Sequence, residues 1–404
     1  MQIPTFIASF ISVALLSTQV TASKVSYVKR ASSSPQQAEV LEFSNFGFSG
    51  TFNMVSQLDN IYSDTCSCQV NPAPVDFSGP NAPLNGDVSV HFRGPLVLNK
   101  FAFYVSDNFV HGDAQSSNWT RLSYYDAESQ TSQNVTFLNN AGQNSTCLGL
   151  GLSYADSDGV NASSSSEILA ANTKLLSNQE ISIFSNVSCG PSGYGNDCGV
   201  YRSDIPAYHG FFGTTKMFIF DFEMPDESEL PGWTANYNMP AIWLLNANIP
   251  RTAQYSDNVN CSCWRSGCGE FDIFEVKNNT QSEVNQLFTT IHDYQGTDDI
   301  ETGLQINGYI PRDTQGSMVG GVSFDSNGNA IVWVSNSTTF DEVISASDFN
   351  SWISSDGNAV VDSLSSVPAA SSASSSKKSS GSNVNNDSIY TRVFIGLFSM
   401  LFWF

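Results

Sequence analysis

The stretch that decides how this chain is read is "CGEFDIFEV", residues 268–276. Three carboxylates, Glu270, Asp272 and Glu275, stand in an apolar run that has the character of a buried strand. Acids are rarely buried without a partner or a task. Side chains alternate faces along a strand, so Glu270 and Asp272 share one face and Glu275 falls on the other. A β-bulge changes that count. If Ile273 and Phe274 together oppose one residue of the next strand, parity is restored and Glu275 joins the other two. The spacing therefore predicts a bulge at Ile273–Phe274 and three acids on one concave face. Phe271 and one bulge residue then pack into the core.

Such a trio suits retaining glycoside hydrolysis. That chemistry needs two carboxyl groups about 5–5.5 Å apart, one as nucleophile and one as acid/base. Neighbours on one strand face lie roughly 7 Å apart by rise, so the side chains must lean together across the bulge. A middle acid can hydrogen-bond the nucleophile and hold the two end acids at different pKa values. Three adjacent carboxylates repel, so at least one keeps its proton near neutral pH. The blander readings of the triplet are a polar network or a set of calcium ligands at a sandwich edge.

Around this strand the chain alternates short β-rich runs with Gly/Asn/Ser turns. "DVSVHFRG" (87–94), "LVLNKFAFYVSD" (96–107), "TKMFIFDFEMP" (215–225), "PAIWLLNANIP" (240–250) and "QLFTTIHDY" (286–294) read as strands. "GVSFDSNGNAIVWVS" (321–335) reads as a hairpin turning near Asn327-Gly328. The best helical candidate is "SSSEILAANTKLLSN" (164–178). The Gly/Ser/Asn-rich segment from about 140 to 210 reads as loops laid over the scaffold. Many strands at short spacing make an all-β protein, an antiparallel sandwich or jelly roll.

The 404 residues carry a formal net charge of −22, with only 13% charged residues. That balance disfavours nucleic acid or an anionic membrane as partner and suits a secreted protein that meets neutral polymers. An apolar run from Phe6 to Leu16, followed by small residues up to Ala22, reads as a secretory signal over 1–22. Lys29-Arg30 marks a possible propeptide over 23–30. At the other end, "SSVPAASSASSSKKSSGSN" is low-complexity, and the chain closes on the apolar "VFIGLFSMLFWF" (393–404). Small residues, a polar spacer and an apolar tail too short to span a bilayer compose a GPI-attachment signal. Gly381 is the expected lipid anchor, with Ser380 and Asn383 as alternatives, and 384–404 the removed signal. Eight cysteines, Cys66, Cys68, Cys147, Cys189, Cys198, Cys261, Cys263 and Cys268, imply disulfides whose pairing the sequence leaves open. A zinc site at Cys261, Cys263 and Cys268 lacks a repeated CxxC pair, so no metal and no cofactor is expected. Asn118, Asn134, Asn144, Asn161, Asn186, Asn278 and Asn336 each head a glycosylation sequon.

The E-x-D-x-x-E pattern of 270–275 resembles glycoside hydrolase family 16, the β-jelly-roll (concanavalin-like) glucanases. "MPAIWLLNANIP" resembles the strand preceding the catalytic one there, "TTIHDYQG" the strand after it, and "KMFIFDFEMP" another of the family's strands. Together these pieces cover about 215–295. The order departs from an ordinary member: "FRGPLVLNKFAFYV" (92–105) looks like a closing strand, yet lies near the start. A circular permutation explains this, and the whole chain resembles the circularly permuted 1,3-β-glucanases of fungal cell walls. The resemblance implies one domain over 38–362, with 38–108 the permuted strands and 109–362 the catalytic part, followed by a Ser-rich linker over 363–383. It implies β-glucan as partner, a place in the cell wall or GPI-linked at the cell membrane, and endo-1,3-β-glucanase or transglycosylase activity in wall organisation. It makes Glu270 the nucleophile, Asp272 its orienting partner and Glu275 the acid/base. Trp243, Trp264 and Trp333 become candidate sugar platforms, each with core packing as the alternative, and His292 a candidate cleft residue. The rival readings are a catalytically inactive, GPI-anchored glucan-binding mannoprotein and a lectin-like adhesin.

Overall fold

The strand Lys216–Glu223 shows why the chain builds two sheets with apolar material on both sides of one of them. Its Phe218, Phe220 and Phe222 point into one core and its Met217 and Ile219 into another. A strand apolar on both faces must be covered on both. In the computed structural model the described residues are 34–256, 258–354 and 358–364. The expected signal peptide, propeptide, Gly381 anchor and terminal tail lie outside them, as does all but the start of the Ser-rich linker.

The first sheet runs, in spatial order, Gly308–Pro311, Gln286–His292, Glu270–Glu275, Ala241–Asn246, Val88–Arg93, Glu180–Phe184 and Thr136–Asn139, with short strands at both edges. The second runs Trp119–Asp126, Leu96–Val105, Lys216–Glu223, Ser317–Phe324, Ala330–Val334, Val40–Ser44 and Ala359–Ser363, again with a short strand at its first edge. Pairing in this central run is antiparallel except where Val40–Ser44 meets Ala359–Ser363 in parallel. The two sheets enclose the main core, and phenylalanine pairs cross the gap: Phe92 with Phe220 at 5.8 Å, Phe222 with Phe274 at 5.2 Å. Each such buried ring contributes roughly 1.5–3 kcal/mol. The protein is an antiparallel β-sandwich, and the strands read from the sequence lie where the alternation puts them.

The first and last strands of the second sheet in chain order are hydrogen-bonded neighbours, Val40 opposite Ala359 through Ser44 opposite Ser363. Adjacent ends are what a circular permutation requires. Leu96–Val105, read as a displaced closing strand, sits inside the second sheet between Trp119–Asp126 and Lys216–Glu223.

Three expectations need correction. No helix forms over 164–178. Asn172 (φ 61°) and Asn178 (φ 66°) take left-handed backbone that interrupts a helix, and Leu169 and Leu175 reach the core from irregular backbone and a two-residue strand. The segment from 140 to 210 is not loop alone. "EISIF" (180–184) sends Ile181 and Ile183 into the core and joins the first sheet beside Val88–Arg93. Trp333 is no sugar platform. It lies in the second sheet, fully buried beneath the helix Ala346–Ile353, with its ring 5.0 Å from Phe349 and its indole N–H donated to Thr338 Oγ1.

All eight cysteines pair, as Cys66–Cys147, Cys68–Cys261, Cys189–Cys198 and Cys263–Cys268. The three cysteines weighed as zinc ligands are therefore each in a disulfide. Cys68–Cys261 joins segments 193 residues apart and ties the hairpin of Val55–Asp59 and Ser67–Val70 to the loop ahead of the acid strand.

Trp333→Ala empties a packed site between sheet and helix. Denaturant unfolding should show a loss of about 3–5 kcal/mol; a loss below about 1 kcal/mol would contradict this placement.

Candidate active site

The bulge is present. Asp272 pairs with Thr290 and Glu275 with Phe288, so Ile273 and Phe274 together oppose the single residue Thr289. On the other side Asp272 faces Trp243 and Phe274 faces Ile242, again with one residue to spare. Thr289 Oγ1 donates to the Ile273 carbonyl at 2.8 Å, which holds the extra residue in place. Phe271, Ile273, Phe274 and Val276 all enter the main core. Both bulge residues turn inward rather than one, and Glu270, Asp272 and Glu275 share the opposite face.

The neighbouring strands complete that face in register. Glu275, Ala241 and Arg93 form one row, Asp272, Trp243 and His91 the next, and Glu270, Leu245 and Ser89 the third. His292 lies opposite Glu270 on the other flank. Its Nδ1–H donates to the Ile300 carbonyl at 2.6 Å and its Nε2–H to Asp272 Oδ2 at 3.1 Å. A ring that donates from both nitrogens is an imidazolium. Burial alone would lower its pKa, but the hydrogen bond and charge of Asp272, with Glu270 behind it, raise it to about 10. Arg93 Nη2 stands 3.5 Å from Glu275 Oε1, its Nε–H is fixed on the Met239 carbonyl at 2.9 Å, and its guanidinium lies 5.9 Å from the Trp243 ring.

The acids feel one another. Burial, then the charge of Asp272, pushes Glu270 up to about 8 against the pull of His292 and of the Trp264 indole N–H, which donates to Glu270 Oε2. Burial and Asp272 also raise Glu275, opposed by Arg93, Lys277 and His292. His292 and Arg93 thus stand on either flank of the three acids, and the glutamates at either end keep a proton to higher pH than free glutamates do.

Comparison with known sequences gives this arrangement a relationship. Residues 117–352 match the C-terminal family, and residues 39–106 the N-terminal family, of cell wall protein YJL171C/Tos1. The chain belongs to the YJL171C/Tos1 family of cell wall proteins. It is 63% identical over 354 residues to the Candida albicans protein named probable circularly permuted 1,3-beta-glucanase PGA52, covering 88% of this chain and 92% of that one. It is 52% identical over 323 residues to the Saccharomyces cerevisiae protein named probable circularly permuted 1,3-beta-glucanase YJL171C, covering 79% and 81%. A second protein of that yeast, named probable circularly permuted 1,3-beta-glucanase TOS1, is 31% identical, covering 80% and 91%. No solved structure matches the chain.

Within this family member the expected site residues separate into groups. Glu270, Asp272, Glu275 and His292 come together. Trp243 lies on the acid face but is nearly covered, stacked on His91 at 5.3 Å and packed with Phe52 and Leu245, so it offers a sugar little ring surface. Trp264 lies at the acids, with its N–H rather than its ring turned to Glu270. Trp333 lies in the other sheet. The seven sequon asparagines are all exposed. Sequence reasoning missed Arg93, His91 and Glu180. His91 packs between Ser89 Oγ (2.9 Å) and Glu180 Oε1 (3.4 Å), and Glu180 accepts from Gln254 and Tyr255. The signal was available in "VSVHFR": Ser89, His91 and Arg93 share one strand face, and a polar face on an inner strand points to a covered site.

The His292–Asp272 pair gives a pH test. The folded value of about 10 lies above the ordinary 6.5, so the contribution is complete below pH 6.5 and is lost as pH rises toward 10. His292→Asn should lower the melting temperature below pH 6.5 and flatten its fall between pH 6.5 and 10. An unchanged slope would contradict the ion pair.

Proposed function

We propose that the chain is a retaining glycoside hydrolase or transglycosylase acting on cell wall β-1,3-glucan. Glu270 is the nucleophile, Asp272 orients it and Glu275 is the acid/base. The observation that carries this reading is the bulge, which sets two glutamates on one face with an aspartate between them. The names of the relatives, probable circularly permuted 1,3-beta-glucanases, support the same substrate.

In the first step a Glu270 carboxylate oxygen attacks the anomeric carbon. The glycosidic bond breaks, and its oxygen takes the proton of Glu275. In the second step Glu275, now ionised, removes a proton from water or from a sugar hydroxyl. That oxygen attacks the anomeric carbon, and the ester to Glu270 breaks. Water gives endo-1,3-β-glucanase action and a sugar hydroxyl gives transfer. Asp272, held by the His292 imidazolium, stays beside the nucleophile through both steps. Arg93 steadies the charge that Glu275 acquires when it releases its proton. We further place the protein outside the cell, glycosylated at the seven exposed sequons and held through a lipid anchor at Gly381, where wall glucan is the neighbouring polymer.

β-1,3-Glucan oligosaccharides incubated with the purified protein should be shortened by hydrolysis or partly lengthened by transfer. Glu270→Gln should reduce either by at least about a thousandfold. Unchanged oligosaccharide in the wild-type sample would sink both activities for that substrate. The pH profile follows from the raised pair. The working form holds one proton between Glu270 and Glu275, so kcat/KM should be bell-shaped. At low pH both are protonated and the nucleophile is lost; at high pH both are ionised and the acid is lost. The acidic limb should lie between the free value of 4.5 and about 8; a limb below 4.5 would contradict the burial of the acids.

A further inference from the structure

Trp264 occupies an unusual place for a side chain expected to stack on sugar. It sits in the 3₁₀ turn Trp264–Ser266, inside the six-residue ring closed by Cys263–Cys268, and that ring ends two residues before Glu270. The turn is pinned from several directions. The Trp264 N–H donates to Ser262 Oγ at 3.2 Å, and the Ser266 and Gly267 N–H groups donate back to the carbonyls of Cys263 and Trp264. Ser266 Oγ accepts from the Asn53 N–H at 2.9 Å and donates to the Cys263 carbonyl at 2.8 Å. Tyr294 Oη donates to the Arg265 carbonyl at 2.8 Å. Gly267 (φ 86°) and Gly269 (φ 108°) take left-handed backbone where a Cβ would stand 2.6 Å from the Tyr294 ring and 2.7 Å from Leu84. The indole packs against the apolar cluster that contains Trp243, Cys263 and Cys268, and the Arg265 guanidinium lies 5.6 Å from its centre, paired with Glu301.

The result of this fixation is one polar contact, the indole N–H donated to Glu270 Oε2. We propose that Trp264 is a positioning residue for Glu270: its indole N–H, fixed by the Cys263–Cys268 ring, holds Oε2 and leaves Oε1 aimed at the anomeric carbon. This rests on the reading of Glu270 as the nucleophile. A carboxylate that turns about its last bond presents the wrong lone pair for much of the time, and one fixed donor removes that freedom. The same donor favours the charged carboxylate over the acid, in a place where burial and Asp272 act the other way. Lost in covalent step one, the charge on Glu270 returns in step two, and the N–H meets it again without rearrangement. A residue that only stacks on sugar contributes to binding and leaves these properties alone.

Two arms test the proposal on the full-length protein. In the first, the indole N–H resonances of ¹⁵N-labelled protein are followed by NMR against pH. One of them should titrate with Glu270 and lose that titration in Glu270→Gln. In the second, Trp264→Phe keeps a ring and removes the donor. It should lower kcat about ten- to a hundredfold with little change in KM, and move the acidic limb of kcat/KM to higher pH. Cys263→Ser combined with Cys268→Ser should reproduce the shift of the limb. Indole signals that ignore Glu270→Gln would overturn the proposal. So would a Trp264→Phe enzyme with raised KM and an unmoved acidic limb. A wild-type protein that turns over no glucan would overturn the glycosidase reading instead, and the first arm would still decide whether Trp264 engages Glu270.

Discussion

One extra residue in a strand is the constraint on which the site depends. Between Asp272 and Glu275 the acid strand holds two residues where its neighbour holds one. Without that mismatch Glu275 would point into the phenylalanine-rich core, where an unpaired carboxylate is costly. With it, Phe271, Ile273, Phe274 and Val276 all reach the core and the three acids all leave it. Core packing and acid placement therefore specify the same bulge. Phe274 stacked on Phe222 anchors it from within, and the Thr289 hydroxyl on the Ile273 carbonyl anchors it along the ladder. Removing either anchor disturbs packing and chemistry together.

Placement alone would leave three repelling charges. The neighbouring strands supply the compensation: His292 on one flank for Asp272, Arg93 two strands away on the other for Glu275. The two cations hold the aspartate and one glutamate, and Glu270 receives a neutral donor instead. The end acids therefore stand in different environments, Glu275 beside a guanidinium and Glu270 beside a neutral donor. The buried polar face of Val88–Arg93 belongs to this electrostatic frame.

Much of this was legible in the sequence, and for a physical reason. Strand alternation is a local property, so the strands read at 87–94, 96–107, 215–225, 240–250 and 286–294, the acid strand and the hairpin of 321–335 could be read one at a time. The bulge was legible because three acids at that spacing make sense only with one. What stayed hidden depends on tertiary partners. Whether Trp333 meets a helix or a sugar depends on which face of the second sheet is covered, and "AIVWV" alternates the same way in either case. "EILAANTKLL" has helical spacing, yet Leu169 and Leu175 enter the core from irregular backbone and from a two-residue strand paired with Leu96 and Val97. Disulfide pairing follows the three-dimensional path of the loops, which eight cysteines in a row do not encode.

The permuted order also has a local logic, since the strands that begin and end the second sheet in chain order lie side by side and the chain can open at one loop as well as another. The covalent role of Glu270 is the central claim, and trapping it is the most direct measurement. The purified protein is incubated with a β-1,3-linked glucosyl donor bearing fluorine at C2 and a good leaving group, digested, and analysed by mass spectrometry. The account predicts a glycosyl ester on Glu270 that is absent from Glu270→Gln. An ester on Glu275, or no adduct while the substrate is consumed, would contradict it.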